Sequence, residues 1–249
     1  MNASSPRIAL VTGATRGIGL ETVRQLAQAG VHTLLAGRDR ERAAAAAREL
    51  QAQGLPVEPI ALDVTDEDSI AAAAAEVEAR HGRLDILVNN AGIVIDDAAR
   101  GVSGQSPATW RDTFQTNVFG LIAVTQAFLP LLHRSRSARI VNVSSALGSV
   151  TLHSDPSSFI YDFKIPAYNV SKSAVNAWTV QLAWELKDSS IKVNTIHPGY
   201  VRTEMNHVDG EQRGELEVAD GARTSVRLAL IDEDGPNGGF FYLDESLPW

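Results

Sequence analysis

Short apolar runs alternate along most of the chain with longer stretches whose apolar positions recur every three or four residues. The runs at 7–12, 31–36, 57–62, 84–88, 139–143, 191–196 and 238–243 are continuous rather than alternating. Such runs suit strands buried on both faces of a parallel sheet. Between them, 17–29, 40–53, 65–81, 107–132 and 166–187 have helical spacing or helix-forming composition. Gly30 and Gly54 stand where a helix is expected to end, and Asp39 stands where one is capped. Glu67 and Asp68 place acids in a first turn, where they complement the helix dipole. Seven strands separated by helices predict an α/β chain: a Rossmann-type, doubly wound, parallel sheet with helices on both faces. No internal repeat and no linker composition interrupts the series, so residues 1–249 are expected to form a single domain.

Two segments break the rhythm. Residues 146–165 make a long connection after the fifth strand, rich in aromatics and prolines. Residues 202–220 are polar and acidic. Both follow C-terminal strand ends, where open α/β sheets bind ligands, so they are read as an insert and a lid over a substrate site.

The net charge of −8 disfavours a phosphate-backbone partner, so no nucleic acid is expected. An anionic cofactor then requires a local cationic pocket. The chain has no cysteine, which removes disulfide and thiolate chemistry and fits a cytoplasmic setting. No apolar run reaches the roughly 20 residues of a membrane span. The six histidines show no H-x-x-x-H spacing or carboxylate cluster, so no metal site is expected.

The segment Thr12-Gly13-Ala14-Thr15-Arg16-Gly17-Ile18-Gly19 joins the first strand to the first helix. Glycines let the backbone approach a pyrophosphate, and the helix N-terminus offers free N–H groups to it. Tyr168 and Lys172 are four apart on a helix and therefore share a face. The chain has only four lysines, Lys164, Lys172, Lys187 and Lys192, which makes the pairing more informative. An ammonium near a phenol is expected to lower its pKa toward the working range of an acid/base catalyst. Tyr161 is a decoy, because Lys164 lies at the wrong spacing from it.

The glycine-rich turn, with Asp63-Val64, Asn89-Asn90-Ala91-Gly92, Asn117 in Thr116–Gly120, Ser144-Ser145, Tyr168-x-x-x-Lys172 and Pro198-Gly199, resembles the short-chain dehydrogenase/reductase family over residues 7–243. The insert and the C-terminal residues look most like its carbonyl-reductase-like branch. The resemblance implies four catalytic residues: Tyr168 as general acid/base, Lys172 supporting it and holding a ribose, Ser145 orienting the substrate oxygen, and Asn117 holding a relay water. It implies cofactor contacts from Gly13, Thr15, Arg16, Gly17, Ile18, Gly19, Arg38, Asp63, Val64, Asn90, Ala91, Gly92, Pro198, Gly199, Val201 and Thr203, besides Tyr168 and Lys172. Members that prefer NAD carry an acid where this chain has Gly37. Arg16 and Arg38 resemble the basic pair of NADP-preferring members, and guanidinium groups suit a 2′-phosphate. The cofactor expected is NADP(H), and the partner a small carbonyl or alcohol.

Tyr168 follows Ser145 by 23 positions, wider than the common family spacing. Longer inserts here accompany monomeric relatives, so a monomer or homodimer is expected rather than a tetramer. The activity implied is reduction of ketones or aldehydes, or the reverse oxidation. The competing reading is a non-catalytic NADP(H) sensor of the same fold.

Overall fold

The computed structural model describes residues 6–208 and 211–249. Strands β1 (Ile8–Val11), β2 (His32–Gly37), β3 (Val57–Ala61), β4 (Ile86–Asn89), β5 (Arg139–Val143) and β6 (Lys192–Ile196) are parallel. Beyond them lie the hairpin strands β7 (His207–Val208) and β8 (Glu211–Gln212), then β9 (Phe240–Tyr242) and β10 (Glu245–Ser246). The main sheet runs β10-β9-β6-β5-β4-β1-β2-β3. Seven of its strands are parallel, as expected. The eighth, β10, folds back antiparallel on β9 and caps that edge, where the sequence carries no apolar run.

The helices are α1 (Gly17–Gln28), α2 (Arg40–Gln51), α3 (Glu67–His81), α4 (Pro107–Phe114), α5 (Leu121–Leu132), α6 (Val150–Ser154), α7 (Pro166–Glu185) and α8 (Val218–Ala229). Side chains alternate across each strand, so the sheet feeds two cores. Leu10, Leu34 and Ile60 pack with Ile70, Phe128 and Leu182 on the face of α3, α5 and α7. Val11, Leu35 and Val88 pack with Val23, Leu26 and Leu228 on the face of α1, α2 and α8.

Asp39 caps α2 as expected, accepting from the N–H groups of Glu41 and Arg42. Asp66 rather than Thr65 caps α3, so that helix starts later than its pattern suggests. Residues 107–132 form one helical run interrupted by a π turn at Gln115–Gly120. This run corrects one expectation, since its 26 residues are long and apolar enough to cross a membrane by length and composition. It is a core helix here, because Val124, Phe128, Leu131 and Leu132 are buried against the sheet. Helix α8 was not expected. Its buried side consists mainly of small residues, Gly221, Ala222, Thr224, Ser225 and Ala229, which leave little apolar signature.

Candidate active site

The crevice begins at the first βα turn. Gly13 and Gly17 have φ of 62° and 56°, conformations that favour glycine. Arg16 stands at the N-cap of α1 with no side-chain capping bond, so no protein side chain occupies the first amides of that helix from the cap. A Cβ on Gly19 would lie 2.4 Å from Asn90 Nδ2 and 2.7 Å from Gly13 O, so the turn requires the bare backbone there. Thr12 ties the two halves together, its Oγ1 accepting from the N–H groups of Asn90 at 3.0 Å and Ala91 at 3.1 Å. Asn90 Nδ2 donates to Thr12 O at 2.9 Å. Thr203 reaches the same place from the far side, within 3.7 Å of where a Gly17 Cβ would stand. Asp63 folds its carboxylate onto Thr65, and Val64 beside it is buried. Gly199 takes a φ of 88°, and Val201 is buried in an isolated bridge with Leu216. Ile18, Pro198 and Gly92 lie at the helix start, after β6 and after β4 respectively. The bare turn and the open start of α1 fit a dinucleotide pyrophosphate.

At the end of β2, a Cβ on Gly37 would lie 2.4 Å from Thr15 Cγ2, so the acid of an NAD-preferring chain has no room without moving Thr15. Beside it, a hollow of about 290 Å³ is bordered by Thr15, Arg16, Arg42, Glu49 and Glu204. Besides the expected Arg16 and Arg38, a third arginine lies here. Arg42 shares the hollow with Arg16, while Arg38 is exposed beyond its lining. Arg42 is one turn into α2 and ion-paired to Asp39 at 3.2 Å, and reading strand ends alone misses it. Arg16 is not free either: its guanidinium is ion-paired to Glu204 of the segment after β6.

The four expected catalytic side chains are all buried: Asn117, Ser145, Tyr168 and Lys172. Tyr168 and Lys172 occupy successive turns of α7, with Lys172 Nζ 5.5 Å from the centroid of the Tyr168 ring. Lys172 Nζ donates to Val143 O, at the end of β5, at 2.8 Å. Ser145 follows β5, accepts from Leu147 N at 3.2 Å and lies near enough to the Tyr168 hydroxyl to favour its ionised form. Ser144 donates instead to Lys172 O at 3.3 Å.

The protonation pattern differs from the expected one. Burial pushes Tyr168 up to about 12, and Ser145 opposes that rise. Burial also brings Lys172 down to about 8. Desolvation is the largest cause of both shifts. His197, buried after β6, is pushed down to about 4 and is neutral at physiological pH.

The Asn117 side chain is fully engaged. Its Oδ1 accepts from Ile93 N at 2.8 Å, and its Nδ2 donates to Ile93 O at 2.9 Å and Ser171 Oγ at 3.0 Å. The side chain clamps the loop after β4 to α7. It does so from within the π turn, the kind of helix irregularity that clusters at functional sites.

Two features escape the linear pattern. Asp96 accepts from Ala167 N at 2.7 Å and Tyr168 N at 3.1 Å, so a carboxylate 72 positions upstream caps α7 at Tyr168. The insert is anchored by His153, whose Nε2 lies 3.0 Å from Leu147 O while Lys164 Nζ stands 3.0 Å from Nδ1. Far from the crevice, and against the expectation of no metal-type cluster, His32, Glu58 and His81 converge from β2, β3 and α3.

A parallel sheet with a glycine-rich first turn and a buried Tyr–Lys–Ser group beyond the C-terminal end of β5 is the arrangement of a nucleotide-fold oxidoreductase site. Residues 7–214 match the family model of the short chain dehydrogenases, and the chain belongs to that family. It is 37% identical to short-chain dehydrogenase/reductase 1 of Saponaria officinalis, covering 98% of this chain and 96% of that one. It is 35% identical to a (+)-neomenthol dehydrogenase of Arabidopsis thaliana, covering 97% of each. The NADPH-bound carbonyl reductase from chicken fatty liver superposes with a TM-score of 0.83 at 28% identity, covering 98% of this chain and 99% of that one.

Proposed function

We propose that the protein is an NADP(H)-dependent reductase of ketones or aldehydes, with Tyr168 as the proton donor. The observation that carries this reading is the burial of Tyr168 beside Lys172 and Ser145, with the phenol held at about 12. A phenol of that pKa keeps its proton at neutral pH, yet is far more acidic than the alcohol of which an alkoxide is the conjugate base. It therefore suits donation to a forming alkoxide. Ser145 orients the carbonyl oxygen toward Tyr168, and the Asp96 and Asn117 clamps hold α7 and the β4 loop in place. The turn at Gly13–Gly19 and the amides of α1 would hold the pyrophosphate, with Arg16, Arg42 and Arg38 supplying cations for a 2′-phosphate. When bound, the cofactor supplies the hydride. Relatives solved with NADP or NADPH support that choice.

The lack of cysteine supports a cytoplasmic setting. The long insert before Tyr168 is the feature behind the reading as a monomer or homodimer.

The test is oxidation of NADPH against a panel of aldehydes, ketones and quinones. Turnover is expected to be faster with NADPH than NADH, and to fall about 10²–10⁴-fold in Tyr168→Phe. Turnover that survives this change refutes the assigned donor. Equal NADPH binding by both proteins with no turnover by either favours the sensor.

A further inference from the structure

Among the described residues, one cluster of metal-type side chains lies outside the crevice. His32 opens β2, Glu58 is the second residue of β3, and His81 ends α3. The pattern dictates their meeting. His32 points to the face that Leu34 and Ala36 share, Glu58 to the face of Ile60, and His81 is one turn beyond Val77 on the buried side of α3. The apolar core of this face thus ends, at the N-terminal ends of the strands, in two imidazoles and a carboxylate.

Their geometry suits a single ion. One donor atom from each lies within 4.8 Å of the other two. Glu58 Oε1 stands 2.9 Å from His32 Nε2, and Glu58 Oε2 stands 3.6 Å from His81 Nε2. These distances bracket the roughly 3.3 Å that separates donors around a tetrahedral zinc ion with bonds near 2.0–2.1 Å. Both Nε2 atoms are buried and face the Glu58 carboxylate, without a well-directed hydrogen bond. Two imidazole nitrogens converging on one carboxylate make a donor set that a single ion can share. The three side chains are 13–33% exposed, so an ion can enter and keep a water as a fourth ligand.

We propose that His32, Glu58 and His81 bind a divalent cation of the zinc class. Two imidazoles with one carboxylate favour zinc and its neighbours over magnesium or calcium, which prefer all-oxygen sites. Arg80 donates to Glu58 Oε2 at 3.2 Å and pairs with Glu76 at 2.7 Å, so it fixes the carboxylate from outside while its charge weakens the site. The bound ion pins the end of α3 to the β2–β3 edge, at the opposite end of the strands from Tyr168, and its role is structural. Spacing does not reveal the group, because its three members come from three separate elements.

The experiment uses the full-length protein, stripped with a chelator and titrated with zinc against a chromogenic zinc indicator. Wild type is expected to take up one equivalent and to gain melting temperature. At free zinc 100 times the dissociation constant, linkage lowers its unfolding equilibrium constant about 100-fold. Glu58→Gln and His81→Gln are each expected to weaken binding at least tenfold, with NADPH oxidation unchanged. Arg80→Ala is expected to tighten it. Should His81→Gln fail to fold by circular dichroism, the loss of the zinc-induced melting shift in Glu58→Gln decides the matter. No uptake by wild type, or equal uptake by wild type and Glu58→Gln, overturns the proposal, the latter as an adventitious ion only. Equal displacement by magnesium overturns the assigned class.

Discussion

The two ends of the central strands bury polar groups in opposite ways. At the N-terminal end, Asp85 is buried and fully engaged. It accepts from Ile8 N at 2.8 Å and Ser135 Oγ at 2.6 Å, and pairs with Arg83 at 3.1 Å. Arg139, also buried, donates to the carbonyls of Ile231 at 3.0 Å and Ala138 at 2.8 Å. At the C-terminal end, Tyr168 and Lys172 are equally buried but sparsely partnered, and burial moves both away from their ordinary protonation. Satisfied groups hold strands together, while strained ionisations make chemistry available.

This contrast breaks if each end does not govern its own property. The largest expected effect outside the catalytic tyrosine is Asp85→Ala. It orphans Ile8 N and Ser135 Oγ in the interior and should cost about 3–5 kcal/mol in urea unfolding, with turnover per folded molecule unchanged. A loss of turnover without a loss of stability would erase the distinction.

The pH profile comes next. Lys172 has a folded pKa depressed to about 8 from 10.5, so it is cationic below that pH and neutral above it. Reductive kcat/KM is expected to fall above pH 8, by up to tenfold per unit, while Lys172→Arg, which keeps its charge, shows no such limb. The stability sign is opposite. Between 8 and 10.5 the unfolded chain binds more protons at this lysine than the folded one, so stability attributable to Lys172 rises with pH. Tyr168, raised from 10 to about 12, reverses the trend above 10, because there the folded state holds the extra proton.

Asp96→Ala is the smallest and sharpens the boundary between the two ends. It removes both side-chain acceptors at the start of α7 and should cost about 1 kcal/mol, read as a shifted urea midpoint at constant slope. A kcat drop beyond what this loss of order implies would make Asp96 a positioning residue for Tyr168.

Local physics was legible in the chain and convergence was not. Continuous apolar runs located β1 to β6, and the glycine-rich turn and Tyr168/Lys172 spacing located the crevice, because each needs only neighbours. Helix α8 was hidden by its small residues, which fit because the helix lies close; a Cβ on Gly221 would stand 2.6 Å from Val201. Asp96 and the His32–Glu58–His81 group were hidden for another reason. Their partners come from distant segments, and no periodicity records such meetings. The burial around Tyr168 was hidden too, because spacing reveals a neighbouring cation but not how dry the site is.

The ion pair between Arg16 and Glu204 gives the charge on the first turn a second customer. Both side chains are more than 60% exposed, so the pair is weak and sensitive to salt. On the proposed cofactor assignment, a ribose phosphate reaching Arg16 would compete with Glu204 for one guanidinium. Losing that partner would leave the segment after β6 held by its own bonds, Asn206 Nδ2 to Val201 O at 2.7 Å and Arg202 to Glu217, so the turn can trade one anion for another without unfolding its neighbour.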